Sequence, residues 1–179
     1  MLTRKQHRLK YYDYSSNGAY FITICTKDKK CVLGNVINEK MILNELGIIA
    51  QAEIEKTKKF RDNVFINHYV IMPNHVHLMI KLRRDTACCV RNNEARNFGK
   101  TQSQSISAII RAYKSAVTRA VRISGHSTLC PYSFEEKRFW QNGYHDHVVR
   151  CQKTYHELLK YIDENPIKWH LDRYHVHNN

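Results

Sequence analysis

The sequence predicts an α+β fold, one antiparallel sheet with helices stacked on it. Three observations predict it. Strand-like and helix-like segments alternate in the order β-α-β-β-α-β-α, which favours a mixed layer architecture. Two apolar runs, 64–72 and 76–82, are joined at Pro73-Asn74, a connection short enough to suit an antiparallel pair. Two segments near 45–59 and 106–121 repeat apolar residues at helical spacing.

The elements follow in order. Thr3 to Lys10 is basic, with Arg4, Lys5, Arg8 and Lys10, and reads as an arm (about 1–15) that tracks a phosphate backbone. Tyr11, Tyr12 and Tyr14 follow it, suited to stacking on bases. Tyr20 to Thr26 alternates as a strand. Val32–Val36 and Lys40–Leu43 form a hairpin around Asn38-Glu39. Asn44 caps a helix that buries Leu46, Ile49, Ala50 and Ile54, and Lys56, Lys58 and Lys59 suit its C-terminal dipole. Arg83 to Gln102 is polar, basic and without period, a mobile loop within a single 1–179 domain. Ser105 or Ser103 opens the second helix, whose stripe is Ile106, Ile109, Ile110, Tyr113, Val117 and Val121. Ser124–Lys137 is a loop, and Phe139–Val149 carries a strand. The last helix has Thr154 as candidate N-cap and ends near Asn165, because Pro166 disfavours helix before it.

Charge narrows the partners. The chain carries 29 Lys and Arg against 16 Asp and Glu, a net charge of +13, which points to a polyanion. No apolar run approaches the ~20 residues of a spanning helix, and no signal-like apolar stretch follows Met1, so a cytoplasmic protein is expected. The six cysteines (25, 31, 88, 89, 130, 151) show no C-x-x-C spacing and read as reduced thiols.

The chemistry concentrates in two places. His75-Val76-His77 lies in an apolar strand, where residues two apart share a face. Two neutral imidazoles held side by side suit a metal. They are too few for a structural zinc site and leave room for a third ligand, water and a substrate oxygen. His175-Val-His177 repeats the letters without an apolar flank and reads as a disordered decoy; His145-Asp-His147 lies in the strand before the last helix. In that helix Tyr155, Leu158, Leu159 and Ile162 form the apolar stripe. Tyr161 and Asn165 are four apart, neighbours bordering the stripe.

These residues carry a resemblance. The chain resembles the REP-associated tyrosine transposases, relatives of the single-tyrosine insertion-sequence transposases among the HUH nucleases. The likeness runs through Arg8-Leu-Lys-Tyr-Tyr-Asp-Tyr-Ser15, Ala19-Tyr-Phe-Ile-Thr-Ile-Cys-Thr26, Leu43-Asn-Glu-Leu-Gly47 and Met72-Pro-Asn-His-Val-His-Leu78. It continues through Ala112-Tyr-Lys-Ser115, Phe139-Trp-Gln141, His147-Val-Val-Arg150 and Tyr161-Ile-Asp-Glu-Asn-Pro166. It implies the ferredoxin-like version of the sheet-and-helix plan. It implies that His75 and His77 hold a divalent metal, Mg2+ or Mn2+, although the pair alone would also take zinc. Tyr161 is then the nucleophile. Asn165 matches the polar third ligand, a role for which His147, Asp163 and Glu164 compete. His147 also matches a family position and is a candidate to bond the scissile phosphate or orient a ligand.

The implied activity is metal-dependent nicking and rejoining of single-stranded DNA beside a hairpin, through a 5′-phosphotyrosine and a free 3′-hydroxyl. Arg111 and Lys114, on a face of the second helix away from its stripe, are candidate DNA contacts with the N-terminal arm. Two alternatives stand beside this reading. One is a non-catalytic binder of structured DNA. The other is a hydrolase of small phosphoesters, which the net charge and the tyrosine disfavour. The hairpin recognised, the general base for Tyr161, and the choice between monomer and homodimer are left open.

Overall fold

The computed structural model describes residues 12–83, 104–124 and 138–175. The expected N-terminal arm with Arg4, Lys5, Arg8 and Lys10, most of the 83–103 loop, and His177 lie outside them. The elements are β1 (Gly18–Cys25), β2 (Gly34–Ile37), β3 (Lys40–Leu43), α1 (Glu45–Lys59), β4 (Val64–Met72), β5 (His75–Leu82), α2 (Ile106–Ile123), β6 (His145–Val149) and α3 (Gln152–Glu164). Short 3-10 turns stand at Lys27–Lys29 and Trp169–Leu171.

Strands β4, β5, β1 and β6 form one sheet in that spatial order, and every neighbouring pair is antiparallel. With α1 and α2 as the crossovers, this is the ferredoxin-like α+β plan. Hairpin β2–β3 is an insertion between β1 and α1, paired only with itself. Its turn residues Asn38 and Glu39 have φ of 49° and 62°. Two consecutive positive φ values match the right-handed twist of a two-residue hairpin.

Strand alternation divides the sheet into two layers. Tyr20, Ile22 and Ile24 of β1, and Val76, Leu78, Ile80 and Leu82 of β5, point to one face and join the main core. Helices α1 and α2 cover that face with Leu46, Ala50, Ile54, Ile106, Ile109, Ile110, Tyr113 and Val117. In β4 the register shifts between Ile66 and His68, so Ile66, Tyr69 and Ile71 all reach this core despite their spacing. The opposite face carries Phe21 and Thr23 of β1 and His75, His77 and Met79 of β5, with His145 and His147 of β6 in register with Thr23 and Phe21. The edge strand β6 leads directly into α3.

The helix ends agree with the sequence in two places and differ in one. Asn44 accepts a hydrogen bond from the Gly47 N–H at 3.0 Å, and Ser105 accepts from Ala108 N–H at 3.3 Å. By contrast, α3 starts before Thr154: its N-cap is Cys151, with no side-chain cap bond. Antiparallel pairing of β6 ends at Val149, and the chain turns into the helix at once. Tertiary geometry thus overrides the local capping preference.

Gly47 illustrates how α1 is docked. Asn44 also donates through Nδ2 to the Val32 carbonyl, and its backbone N–H bonds the Leu33 carbonyl. A Cβ built on Gly47 would stand 2.1 Å from that Leu33 oxygen. In a free helix Gly→Ala gains about 1 kcal/mol. Here Gly47→Ala is expected to lower Tm in a thermal melt, because α1 must move off the 32–33 segment; a raised Tm would mean the close approach is not a constraint.

Candidate functional site

The face opposite the main core holds a buried polar cluster on a rigid base. His75 and His77 stand on a central strand, 0% and 1% exposed. Both are fixed by their neighbours. Asn74 Nδ2 donates to the carbonyls of Tyr174 (2.7 Å) and Lys29 (3.1 Å), which turns its Oδ1 toward His75. His75 Nδ1 therefore donates to Asn74 Oδ1 at 2.8 Å, and its Nε2 carries the lone pair. His77 Nδ1 meets Thr23 Oγ1 at 2.9 Å. A threonine hydroxyl both donates and accepts, so it supports either tautomer of His77.

The two Nε2 atoms are 3.0 Å apart. In one tautomer His77 donates to His75 across that gap. In the other, two lone pairs converge, and a cation bound there would resolve the repulsion. That separation would let both nitrogens serve one ion at the usual metal–nitrogen distance of ~2.1 Å. Burial holds both rings below their ordinary pKa, His75 at about 4, so both are neutral at pH 7, the form a metal needs.

Oxygen donors come from α3 and the segment after it. Asp172 brings a carboxylate oxygen into a group with the two imidazoles in which all ligand atoms lie within 4.8 Å of one another. Asn165, 3% exposed, donates through Nδ2 to Asp172 Oδ2 at 3.0 Å. Its Oδ1 is buried without a hydrogen-bond partner, an acceptor whose desolvation is uncompensated by the chain. An orphaned amide oxygen beside a carboxylate and two neutral imidazoles is a donor set that fits a divalent cation. Asn165 itself has right-handed helical dihedrals (φ −58°, ψ −43°), so it is not placed there for a left-handed cap.

Tyr161 stands at the rim, 38% exposed. Its hydroxyl donates to Asp172 Oδ2 at 3.0 Å and lies 3.4 Å from His77 Nε2. Burial first, then the charge and hydrogen bond of Asp172, push the phenol up to about 12. Phe21 stacks on His77 with ring centroids 5.0 Å apart and meets Tyr161 edge-on at 6.0 Å. Tyr174 and Trp169 cover His75, their centroids at 4.7 and 5.9 Å from its ring.

The structure thus brings together His75, His77, Tyr161 and Asn165, as the sequence suggested. His147 shares their sheet face but is exposed on the edge strand, outside the close cluster. Asp163 is exposed, and Glu164 is paired with Lys168 at 2.6 Å. Arg111 is exposed on α2, and Lys114 donates to the carbonyls of Gln141 (2.6 Å) and Gly143 (2.9 Å). Sequence reasoning missed Asp172, Thr23 and Asn74. Asn74 was within reach, as the residue before the first histidine. Asp172 lies beyond Pro166 in a segment without periodicity. His175, read as part of a disordered tail, is held: its ring packs on Trp169 at 4.8 Å and its N–H bonds the Asp172 carbonyl at 2.9 Å. Asp172 anchors this segment further by accepting the Tyr174 N–H at 2.7 Å.

No family model matches the chain. An uncharacterized protein of Haemophilus influenzae is 36% identical over 179 aligned residues, covering 97% of this chain and 93% of its own length. The solved structure of a REP-associated tyrosine transposase bound to a REP hairpin superposes with a TM-score of 0.59. It is 21% identical, and the match covers 90% of this chain and 74% of that one. This likeness establishes a shared fold.

The buried rings imply an acid sensitivity. Both histidines are held below their unfolded pKa, so the unfolded chain binds more protons as pH falls. The stability of neutral burial is fully present above pH 6.5 and is lost as pH falls toward about 4. Metal-free protein should show Tm falling across that window in calorimetry. His75→Gln should flatten the fall; an unchanged slope would mean that His75 is not held neutral by burial.

Proposed function

The chain belongs to the same family as the Haemophilus influenzae protein, and from the site its fold holds we propose that it is a DNA nicking and rejoining enzyme of the transposase type. The observation that carries the reading is the Tyr161 hydroxyl, 3.4 Å from one of two buried imidazoles whose Nε2 atoms are 3.0 Å apart. A tyrosine nucleophile at the rim of a metal-ligand cluster suits phosphodiester chemistry.

His75 and His77 would hold Mg2+ or Mn2+, with Asn165 and Asp172 as the competing oxygen donors. Such an ion supplies charge neutralisation at the phosphate as the transition state forms. Tyr161 does the covalent work. Its oxygen bonds to phosphorus as the bond from phosphorus to the 3′-oxygen breaks, which leaves a 5′-phosphotyrosine and a 3′-oxygen that takes a proton from solvent. Asp172, already the acceptor of the tyrosyl hydrogen bond, is the nearest carboxylate to receive the phenolic proton. Phe21 holds the His77 ring from the side. The phosphotyrosine conserves one ester bond for another, so attack by a second 3′-hydroxyl rejoins DNA without a nucleotide cofactor. The net charge of +13 and the basic N-terminal arm fit a DNA strand as substrate. The REP-associated transposase of like fold is bound to a hairpin, and single-stranded DNA beside a hairpin is the proposed substrate here. A cytoplasmic location and a monomeric or homodimeric state are part of the same proposal.

The test is a denaturation-resistant adduct with a single-stranded oligonucleotide. Tyr161→Phe removes one hydroxyl at a 38% exposed position and should abolish the adduct while Tm and DNA affinity stay unchanged. An adduct mapped to Tyr155 or Tyr144 would overturn the assignment. His75→Ala and His77→Ala should abolish cleavage, as should EDTA. Asn165→Ala should raise the metal concentration needed by ~10-fold or more if the amide is a ligand. An unchanged metal requirement there, with a raised one in Asp172→Asn, would give the third position to the carboxylate.

A further inference from the structure

The two buried imidazoles have neighbours of different kinds, one fixed and one reversible, a difference that the proposed chemistry does not use. On His75 the orientation is forced. Asn74 Nδ2 is committed to the carbonyls of Lys29 and Tyr174, so its Oδ1 faces the ring and Nδ1 must carry the hydrogen. On His77 nothing is forced. Thr23 Oγ1 stands 2.9 Å from Nδ1, and a hydroxyl both donates and accepts. Thr23 and His77 are each 1% exposed, so each relies on a partner from the chain.

The asymmetry matters because the two Nε2 atoms are 3.0 Å apart. His75 presents a lone pair across that gap whether or not an ion is bound. Without a cation, a second lone pair facing it in a buried pocket is repulsive and unsatisfied. His77 relieves this by carrying its hydrogen on Nε2, where it meets the His75 nitrogen and, at 3.4 Å, the Tyr161 oxygen. Its Nδ1 is then an acceptor, and Thr23 donates to it. With a cation, both Nε2 atoms must be bare. His77 then carries its hydrogen on Nδ1, and Thr23 accepts. A hydrogen and a divalent ion thus alternate beside the tyrosine oxygen, and neither ring gains or loses charge between the two states.

An amide in the place of Thr23 would serve one state only. Its oxygen would fix the hydrogen on Nδ1 and force the lone pairs together without an ion. Its NH2 group would keep the hydrogen on Nε2 and exclude the ion. A hydroxyl turns about its C–O bond and serves both. The strand ladder holds it in place, since Thr23 pairs with His77 and shares its face of the sheet. Phe21, two residues earlier on β1, stacks on the His77 ring at 5.0 Å and steadies it. The rings stay where they are and only hydrogens move.

We propose that Thr23 is a positioning residue that reverses its hydrogen bond to His77, so that the ligand pair is stable both with and without its cation. This deepens the metal reading of the site and rests on it, but it does not depend on DNA.

The test reads the hydrogens directly. In the full chain labelled with nitrogen-15 histidine, long-range proton–nitrogen spectra at neutral pH report which ring nitrogen bears the hydrogen. His75→Gln and His77→Gln assign the signals. Metal-free protein should show His75 in the Nδ1–H form and His77 in the Nε2–H form. Zn2+, a diamagnetic probe, should move the His77 hydrogen to Nδ1 and leave His75 as it was. Mn2+ affinity, from the electron paramagnetic resonance of the free ion, is the second readout. Thr23→Val keeps the branched shape and removes the hydroxyl; it should bind Mn2+ ~10-fold more weakly or worse. Thr23→Ser should bind as the parent does. A metal-free His77 in the Nδ1–H form would overturn the proposal without any variant, even where Thr23→Val fails to fold. So would a His77 that keeps one tautomer as Zn2+ binds. Equal Mn2+ affinity in the parent and Thr23→Val removes the role of Thr23 and keeps the metal reading, whereas Zn2+ that leaves both rings untouched removes both. If the hydrogen moves as stated and no DNA adduct forms, the Thr23 assignment stands and the nicking reading falls.

Discussion

Two imidazole nitrogens 3.0 Å apart in a buried pocket set the terms for the rest of the structure. Neither ring can move without breaking a bond that another element depends on. His75 is held by Asn74, which ties the 3-10 turn after β1 to the segment after α3 through the carbonyls of Lys29 and Tyr174. His77 is held by Thr23 of the neighbouring strand. Since His75 pairs with Cys25 and His77 with Thr23 in the β1–β5 ladder, strand register itself sets which side chains meet the rings. A slip of one residue would send both histidines into the main core and Val76 to the site. The apolar run on the other face, Val76, Leu78, Ile80 and Leu82, forbids that slip. The core therefore fixes the site by deciding which face of β5 is dry hydrocarbon.

That division explains what could be read from the chain. The His75–Val76–His77 alternation, the hairpin turn at Asn38-Glu39, and the cap at Asn44 are local signals, each confined to a few residues, and each is found. Tyr161 and Asn165 are one helical turn apart, so their common location needed only the helix. Asp172 is different. It reaches the cluster through a 3-10 turn and a set of backbone bonds (Leu171 to Lys168, Asp172 to Trp169, His175 to Asp172) that have no periodic signature. The start of α3 was also not legible, because where β6 ends is decided by its ladder with β1 and not by the residues at the boundary.

The two layers of the sheet do different electrostatic work. On the α1–α2 side every charged residue of α2 is basic, and their field extends outward. On the α3 side the charge is local and mixed. Asp172 raises the phenol of Tyr161 and opposes the burial that lowers His75, whereas Arg173 pushes in the reverse sense on both. A long-range attractive surface and a short-range tuned pocket thus occupy opposite faces of one sheet, joined at the edge strand β6.

The phenol sharpens the case for a cation. At about 12, Tyr161 is almost wholly protonated at neutral pH, and burial is the leading cause. Asp172 deepens the problem even as it offers to accept the proton, because its negative charge opposes a second one on the tyrosine oxygen. An approaching phosphodiester would add further negative charge to the same space. His75 and His77, held neutral by burial, supply no compensation. A positive charge held among the two imidazoles, Asn165 and Asp172 would remove the conflict at its source: it would offset the carboxylate, satisfy the orphaned Asn165 oxygen, and lower the cost of a phenolate at Tyr161. On the proposed reading, these residues would therefore be balanced with a cation among them and internally opposed without one.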